Sequence, residues 1–119
     1  MLKAVVGLQF GDEGKGKIVD YLSRTSRHIV RFNGGANAGH SVQRGKHRAF
    51  FSQLPATMDE KDLYITQGAL TSPDILINEL NFLKKVGLNS TIHIDPRSHV
   101  VLPLHVELNA ASEHYKGKN

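Results

Sequence analysis

A chain of 119 residues, 39% hydrophobic and 22% charged, has the composition of one small globular domain, which excludes disordered and collagen-like classes. It contains no cysteine, so disulfide scaffolds and thiolate metal sites are excluded as well. Fifteen Lys and Arg against eleven Asp and Glu leave a net charge of +4, a surplus that suits an anionic small molecule. The basic residues are scattered and no basic run is interleaved with aromatics, so no nucleic-acid partner is expected. No apolar run is long enough to span a bilayer, so no membrane partner is expected either. The opening "MLKAVVGLQF" lacks a basic n-region, a long apolar h-region and a small-residue cleavage site; it is read as no signal peptide, and a cytoplasmic protein is expected.

In chain order, "KAVVGLQF" (Lys3–Phe10) is rich in β-branched residues and predicts a short buried strand ending at Gly11. From Gly14 to about Arg24 the period changes. Ile18, Val19 and Leu22 fall at helical spacing, with Lys15, Asp20 and Ser23 off that face. "HIVRF" (His28–Phe32) predicts a second strand, and the glycine- and asparagine-rich "NGGANAGH" (Asn33–His40) a loop. The next stretch predicts a hairpin turning near Arg44-Gly45-Lys46 with a strand through Ala49-Phe50-Phe51. "PATMDEKD" reads as a loop, and "LYITQGAL" (Leu63–Leu70) as a strand broken by Gly68.

The clearest helix spans Pro73–Val86. Ser72 stands at its N-cap, Pro73 at its first position, and Lys84, Lys85 and Gly87 at its end. Ile75, Ile77, Leu80, Leu83 and Val86 are its expected buried stripe, widened by Leu76 and Phe82. "STIHI" (Ser90–Ile94) predicts a strand closed by Asp95-Pro96. A helix follows from about Leu104 to Tyr115, with Val106, Leu108 and Ala111 for one face. Alternating strands and helices predict an α/β fold: a P-loop-like strand–loop–helix opens a mostly parallel sheet with flanking helices. The abrupt stop at "HYKGKN" reads as a cut, so the domain is expected to be incomplete.

Two loops carry the chemistry. "GDEGKGKI" has the spacing of a phosphate-binding loop, Gly11, four residues, then Gly16-Lys17. Gly11, Gly14 and Gly16 permit close backbone approach, and Lys15 and Lys17 can neutralise phosphate. Ile18 replaces the Ser or Thr that would hold Mg²⁺, and Asp12 and Glu13 sit inside the loop. Glu13 reads as a helix-start acid, favourable beside the macrodipole. Asp12 reads equally as such an acid or as a group that holds a cation or moves a proton. The second loop favours catalysis, because it offers Asn37, the Gly39 backbone and the His40 imidazole. His40 can give a proton or stabilise an oxyanion while Asp12 takes one. His28, His47, His93, His99, His105 and His114 read as ordinary surface or core polar residues.

These stretches resemble the adenylosuccinate synthetase family. "GLQFGDEGKGK" is similar to the family's opening motif, with Phe10 where Trp is usual. "RFNGGANAGHSV" is similar to its second signature, with Ser41 where Thr is usual. "LPATM" and "GALTSPDILINEL" are similar to later segments, so the resemblance runs through nearly the whole chain. It implies a ligase that makes adenylosuccinate from IMP, L-aspartate and GTP with Mg²⁺ in purine biosynthesis, as a cytoplasmic homodimer. It implies Asp12 as base and His40 as its catalytic partner. GTP contacts would come from Gly11, Asp12, Glu13, Gly14, Lys15, Gly16 and Lys17, with Gly39, His40 and Ser41. IMP contacts would come from Asp12, Glu13, Gly14 and Lys15, with Asn37, Ala38, Gly39 and His40. Asp12 and the Gly39 carbonyl would ligate Mg²⁺.

The family's Thr-Gly-Arg-Gly-Ile-Gly-Pro stretch does not occur in the chain, nor do its L-aspartate loop, its guanine-recognition motif and the arginine that reaches the partner subunit's nucleotide. Residues 1–119 are therefore expected to be the N-terminal portion of the family's nucleotide-binding domain, inactive alone. Two alternatives stand beside this reading: a phage-type branch acting on dGMP to give 2-aminoadenylosuccinate, and a non-catalytic nucleotide-binding remnant. Asp12 favours IMP over dGMP.

Overall fold

The computed structural model describes residues 1–9, 11 and 13–117. In chain order the elements are α1 (Lys15–Ser23), β1 (His28–Arg31), β2 (His40–Arg44), β3 (His47–Phe51), β4 (Asp62–Ile65), β5 (Leu70–Thr71), α2 (Pro73–Lys85), β6 (Thr91–Ile94), β7 (His99–Val100) and α3 (Pro103–Lys116). The expected α/β architecture is present. β1, β4 and β6 form a parallel sheet in the order β1-β4-β6, with Ile29 opposite Leu63 and Leu63 opposite Ile92. Parallel neighbours need a long return path. The β2–β3 hairpin fills the path from β1 to β4, and α2 the path from β4 to β6.

The hairpin turns at Gly45, whose φ of 57° is left-handed, and it pairs Val42 with Ala49. Val42, Ala49 and Phe51 from the hairpin join Ile29, Leu63 and Ile65 of the sheet and Leu76 and Leu83 of α2 in one core. The Phe51 and Phe82 rings meet edge to face with centroids 6.4 Å apart. "SQLPATM", expected in part as a loop, is irregular but entirely buried. Its polar backbone therefore needs internal partners.

Four expectations change. Lys3–Phe10 forms no strand across its described residues; Met1, Leu2, Val6 and Leu8 are exposed. Lys3–Val5 and His28–Val30 border a common cavity, so the segment lies near the open edge of β1 without joining its ladder. A strand exists only where its N–H and C=O groups find a ladder.

On α1 the most buried residues are Gly16, Asp20 and Ser23, while Ile18 is exposed. An ion-pair network described below draws the polar side inward. On α2 the buried residues are Leu76, Glu79 and Leu83, and Ile77 faces out. Ser72 occupies the N-cap but its side chain makes no capping bond; its N–H donates to Gln53 Oε1 at 2.8 Å. Finally, α3 is a helix as expected, but Val106, Leu108 and Ala111 are exposed and the helix buries no residue. Among the described residues no helix is long and apolar enough to cross a membrane.

Candidate active site

The first loop owes its shape to glycine. Gly11 has φ 94° and Gly14 has φ 78°, a left-handed conformation that a side chain disfavours. The Gly14 carbonyl accepts the N–H groups of Lys17 at 3.1 Å and Ile18 at 3.3 Å, which starts α1 at Lys15. A helix N-terminus with free N–H groups and a positive dipole end favours an anion. A cavity of 350 Å³ opens there, lined by Lys15 and Gly16 of α1, Arg31 and Asn33 around the end of β1, and Ala38 and His40 of the second loop. The two loops singled out in the sequence thus meet at one cavity.

His40 opens β2 and its Cβ sits against Gly16. A Cβ built on Gly16 would lie 2.6 Å from that of His40, too close for any real pair. Gly16→Ala therefore has to push β2 away from α1. Alanine's better helix propensity offsets about 1 kcal/mol of the strain. We expect a net loss of up to about 2 kcal/mol in urea unfolding, the usual cost of overpacking less that gain. Gly39 is packed in the same way: a Cβ there would collide with the Phe50 ring.

Burial, then the positive charges of Arg31 and Lys15, hold the His40 imidazole below its ordinary value of 6.5. At neutral pH it is an uncharged ring with one N–H to donate. The unfolded chain then binds the proton more readily than the folded one. The stabilisation tied to neutral His40 is complete above pH 6.5 and is lost as pH falls from there through the lowered folded value. Unfolding free energies measured at pH 7.5 and 5.5 should differ less in His40→Gln than in the wild type.

The other sequence-predicted residues fall around this centre. Lys15 is paired with Glu13, whose other carboxylate oxygen accepts the Gln9 N–H at 3.1 Å. Lys15 also holds the Glu13 carboxyl below the usual carboxylate range. Glu13, expected as a helix-start acid, is thus a rival to any phosphate for Lys15. Lys17 is exposed, and Gly11 and Gly14 shape the loop without lining the cavity. Asn37 turns its side-chain oxygen over Gly35, and Ser41 continues β2. Asp12, the expected base, lies outside the described residues.

Sequence reasoning missed three charged groups that fix the geometry. Arg31 donates to the backbone carbonyls of Asn33, Gly35 and Ser52. Glu79 accepts the N–H groups of Ser52, Gln53 and Leu54. Arg44 bridges Asp20 of α1 and Asp59 beyond β3, so α1 is tied to the hairpin that carries His40. For Arg31 and Glu79 the detectable signal was a lone charge within an apolar context, Glu79 lying three residues from Leu76 and four from Leu83; Arg44, between Gln43 and Gly45, gave none.

Mg²⁺ takes oxygen ligands and in phosphoryl-transfer sites uses one or two carboxylates plus substrate phosphates. Among the described residues no group of three or more His, Cys, Asp or Glu could hold a metal. The Gly39 carbonyl is an oxygen donor of the right type beside His40, and a phosphate-rich ligand would supply further oxygens. The donor chemistry fits a metal held chiefly through its substrate.

The family model described as adenylosuccinate synthetase matches residues 4–119. "Adenylosuccinate synthetase 1" of Photorhabdus laumondii is 67% identical over 118 residues, which are 99% of this chain and 28% of that protein. An adenylosuccinate synthetase of Thermoplasma volcanium is 43% identical over 110 residues, covering 92% of this chain and 25% of that one. The solved structure of a fully ligated adenylosuccinate synthetase from Plasmodium falciparum superposes with a TM-score of 0.84 at 31% identity, over 94% of this chain and 27% of its own. The chain thus spans about a quarter of the length of the relatives it matches.

Proposed function

Because this chain belongs to the adenylosuccinate synthetase family, we propose that it supplies the catalytic pair and part of the phosphate site of an enzyme that ligates L-aspartate to IMP at the expense of GTP. The observation that carries this reading is the single cavity at which Lys15, Gly16, Ala38 and His40 converge from two separate loops. The reaction needs a base, a phosphate cradle and a donor for developing negative charge, and the two loops provide residue types for all three.

Asp12 takes the proton from N1 of the hypoxanthine, and the electron pair moves to O6. That oxygen attacks the γ-phosphorus of GTP, and the bond to the bridging oxygen of GDP breaks. The amino nitrogen of L-aspartate then displaces the new phosphate from C6. Neutral His40 acts through its N–H as a hydrogen-bond donor to the charge that develops on oxygen, which suits its lowered pKa better than the role of a cationic acid. Gly11–Lys17 and Gly39–Ser41 hold GTP. Glu13, Gly14, Lys15, Asn37 and Ala38 orient IMP beside Asp12 and His40. Glu13 releases Lys15 as phosphate arrives, so the ammonium is neutralised in both states. Mg²⁺, held by Asp12 and the Gly39 carbonyl, would neutralise phosphate charge. Most of the barrier reduction comes from positioning and charge stabilisation.

L-Aspartate and guanine contacts would come from outside residues 1–119, and the enzyme would work as a cytoplasmic homodimer. The 119-residue chain alone makes no adenylosuccinate in this reading. Titrating the ¹⁵N-labelled chain with Mg·GTP tests the site. Amides of Gly14–Lys17 and Gly39–Ser41 should shift together, and IMP should move Asn37–His40. Shifts confined to other surfaces would refute the assignment.

A further inference from the structure

Arg31 is unassigned by the reading above, yet it touches every part of the second loop's foundation. It ends β1, directly before the loop that carries Asn37, Gly39 and His40. Its Nη2 donates to the Gly35 carbonyl at 2.6 Å, its Nε to the Asn33 carbonyl at 3.4 Å, and its Nη1 to the Ser52 carbonyl. Two of these acceptors lie at the start of the loop. The third lies immediately after Phe51, the β3 residue paired with His40. One planar guanidinium therefore joins the root of the loop to the strand beside its catalytic end.

The clamp is anchored from behind. Burial disfavours the Arg31 charge, and the nearby Glu79 carboxylate offsets part of that cost. Glu79 also accepts the N–H groups of Ser52, Gln53 and Leu54, so the corner that Arg31 grips is itself fixed to α2. Gly35 is buried, with the Asn37 side-chain oxygen over its α-carbon, and the Gly34 φ of 82° turns the chain between the two carbonyls. Three carbonyls of fixed direction match the fork of an arginine. A lysine ammonium carries the same charge but cannot span them from one rigid plane.

We propose that Arg31 is a positioning residue for the phosphate and oxyanion chemistry of this site: its guanidinium sets the Asn33–His40 loop so that Gly39 and His40 face α1. The proposal rests on the nucleotide-site reading above. Arg31 touches no reacting atom in it; its three hydrogen bonds are spent on backbone oxygens, and it acts through His40 and Gly39.

The test uses the 119-residue chain and Mg·GTP, followed through the amide shifts of Gly16 and Gly39, with Arg31→Lys, Arg31→Ala and added guanidinium ion. The wild type should bind saturably. Arg31→Lys and Arg31→Ala should each bind about tenfold more weakly, the scale of one charge-assisted hydrogen bond, while Leu63 and Leu83 amides keep their wild-type shifts. Millimolar guanidinium should restore affinity to Arg31→Ala and leave Arg31→Lys unchanged. A merely structural loss would be rescued in neither variant. Wild-type affinity in Arg31→Lys would overturn the clamp and leave the site reading intact, as would failure of guanidinium to rescue Arg31→Ala. Absence of binding by the wild-type chain would overturn the site reading and the proposal with it.

Discussion

Glu79→Ala should cost the chain about 3–9 kcal/mol, a large share of its stability at 25 °C. Glu79 is 7% exposed, and its Oε1 accepts N–H groups from Ser52 at 2.5 Å and Gln53 at 2.9 Å. Its Oε2 accepts those of Gln53 at 3.2 Å and Leu54 at 2.7 Å. The segment they belong to is buried and irregular, so no strand or helix offers replacements. Each orphaned buried N–H costs about 1–3 kcal/mol, and three together about 3–9. Domains of this kind are stable by only about 5–15 kcal/mol in total. Glu79→Gln keeps one acceptor oxygen and turns an NH₂ toward donors, so its loss should fall between alanine and wild type. Urea unfolding by far-ultraviolet circular dichroism measures both. An alanine variant within 1 kcal/mol of wild type would show that these bonds are not what holds the corner.

Arg44→Met should cost about 3–5 kcal/mol, because it strands a buried carboxylate. Arg44 Nη2 meets Asp20 Oδ1 at 2.8 Å, Nε meets Asp20 Oδ2 at 3.2 Å, and the same guanidinium pairs with Asp59. Asp20 is 5% exposed and also accepts the Met58 N–H at 2.9 Å, so it cannot turn out to water without breaking a second bond. Asp59 is more exposed and contributes less. Adding Asp20→Asn to Arg44→Met should recover much of the loss, since the stranded charge is gone while an acceptor for Met58 remains.

The pair also sets an acid limit. Arg44 holds the Asp59 carboxyl below its ordinary 3.8, so its stabilisation is present above that value and is lost as pH falls through the lowered one. Arg44→Met should show a flatter stability profile below pH 4. Because this network binds α1 to β2, the variant should also bind nucleotide more weakly through the displaced Gly16–His40 contact.

The contrast between what sequence reasoning reached and what it missed has a physical origin. α1, the β2–β3 hairpin, α2 and β6 were legible because each carries a local signal: helical spacing, a Gly turn, a proline at a helix start, or a short β-branched run closed by Asp95-Pro96. The two glycine-rich stretches were legible as loops because a glycine cluster disfavours both helix and strand. Arg31, Asp20, Arg44 and Glu79 were not, because most of their partners lie 15–38 residues away in sequence and no local period announces a buried charge. The α2 stripe was misplaced for the same reason: Glu79 occupies a core position that a hydrophobicity count assigns to Ile77. Lys3–Phe10 has the composition of a strand, but strand formation depends on a neighbour that composition cannot supply.

The most direct measurement of the central claim joins residues 1–119 to the remaining three quarters of the Photorhabdus laumondii relative and assays adenylosuccinate formation from IMP, GTP and L-aspartate. The chimera should be active. Asp12→Asn and His40→Asn should each lower kcat by about 10²–10⁴-fold, the range of a lost general base or oxyanion donor. A folded chimera that makes no product, or one whose activity survives Asp12→Asn, would contradict the account.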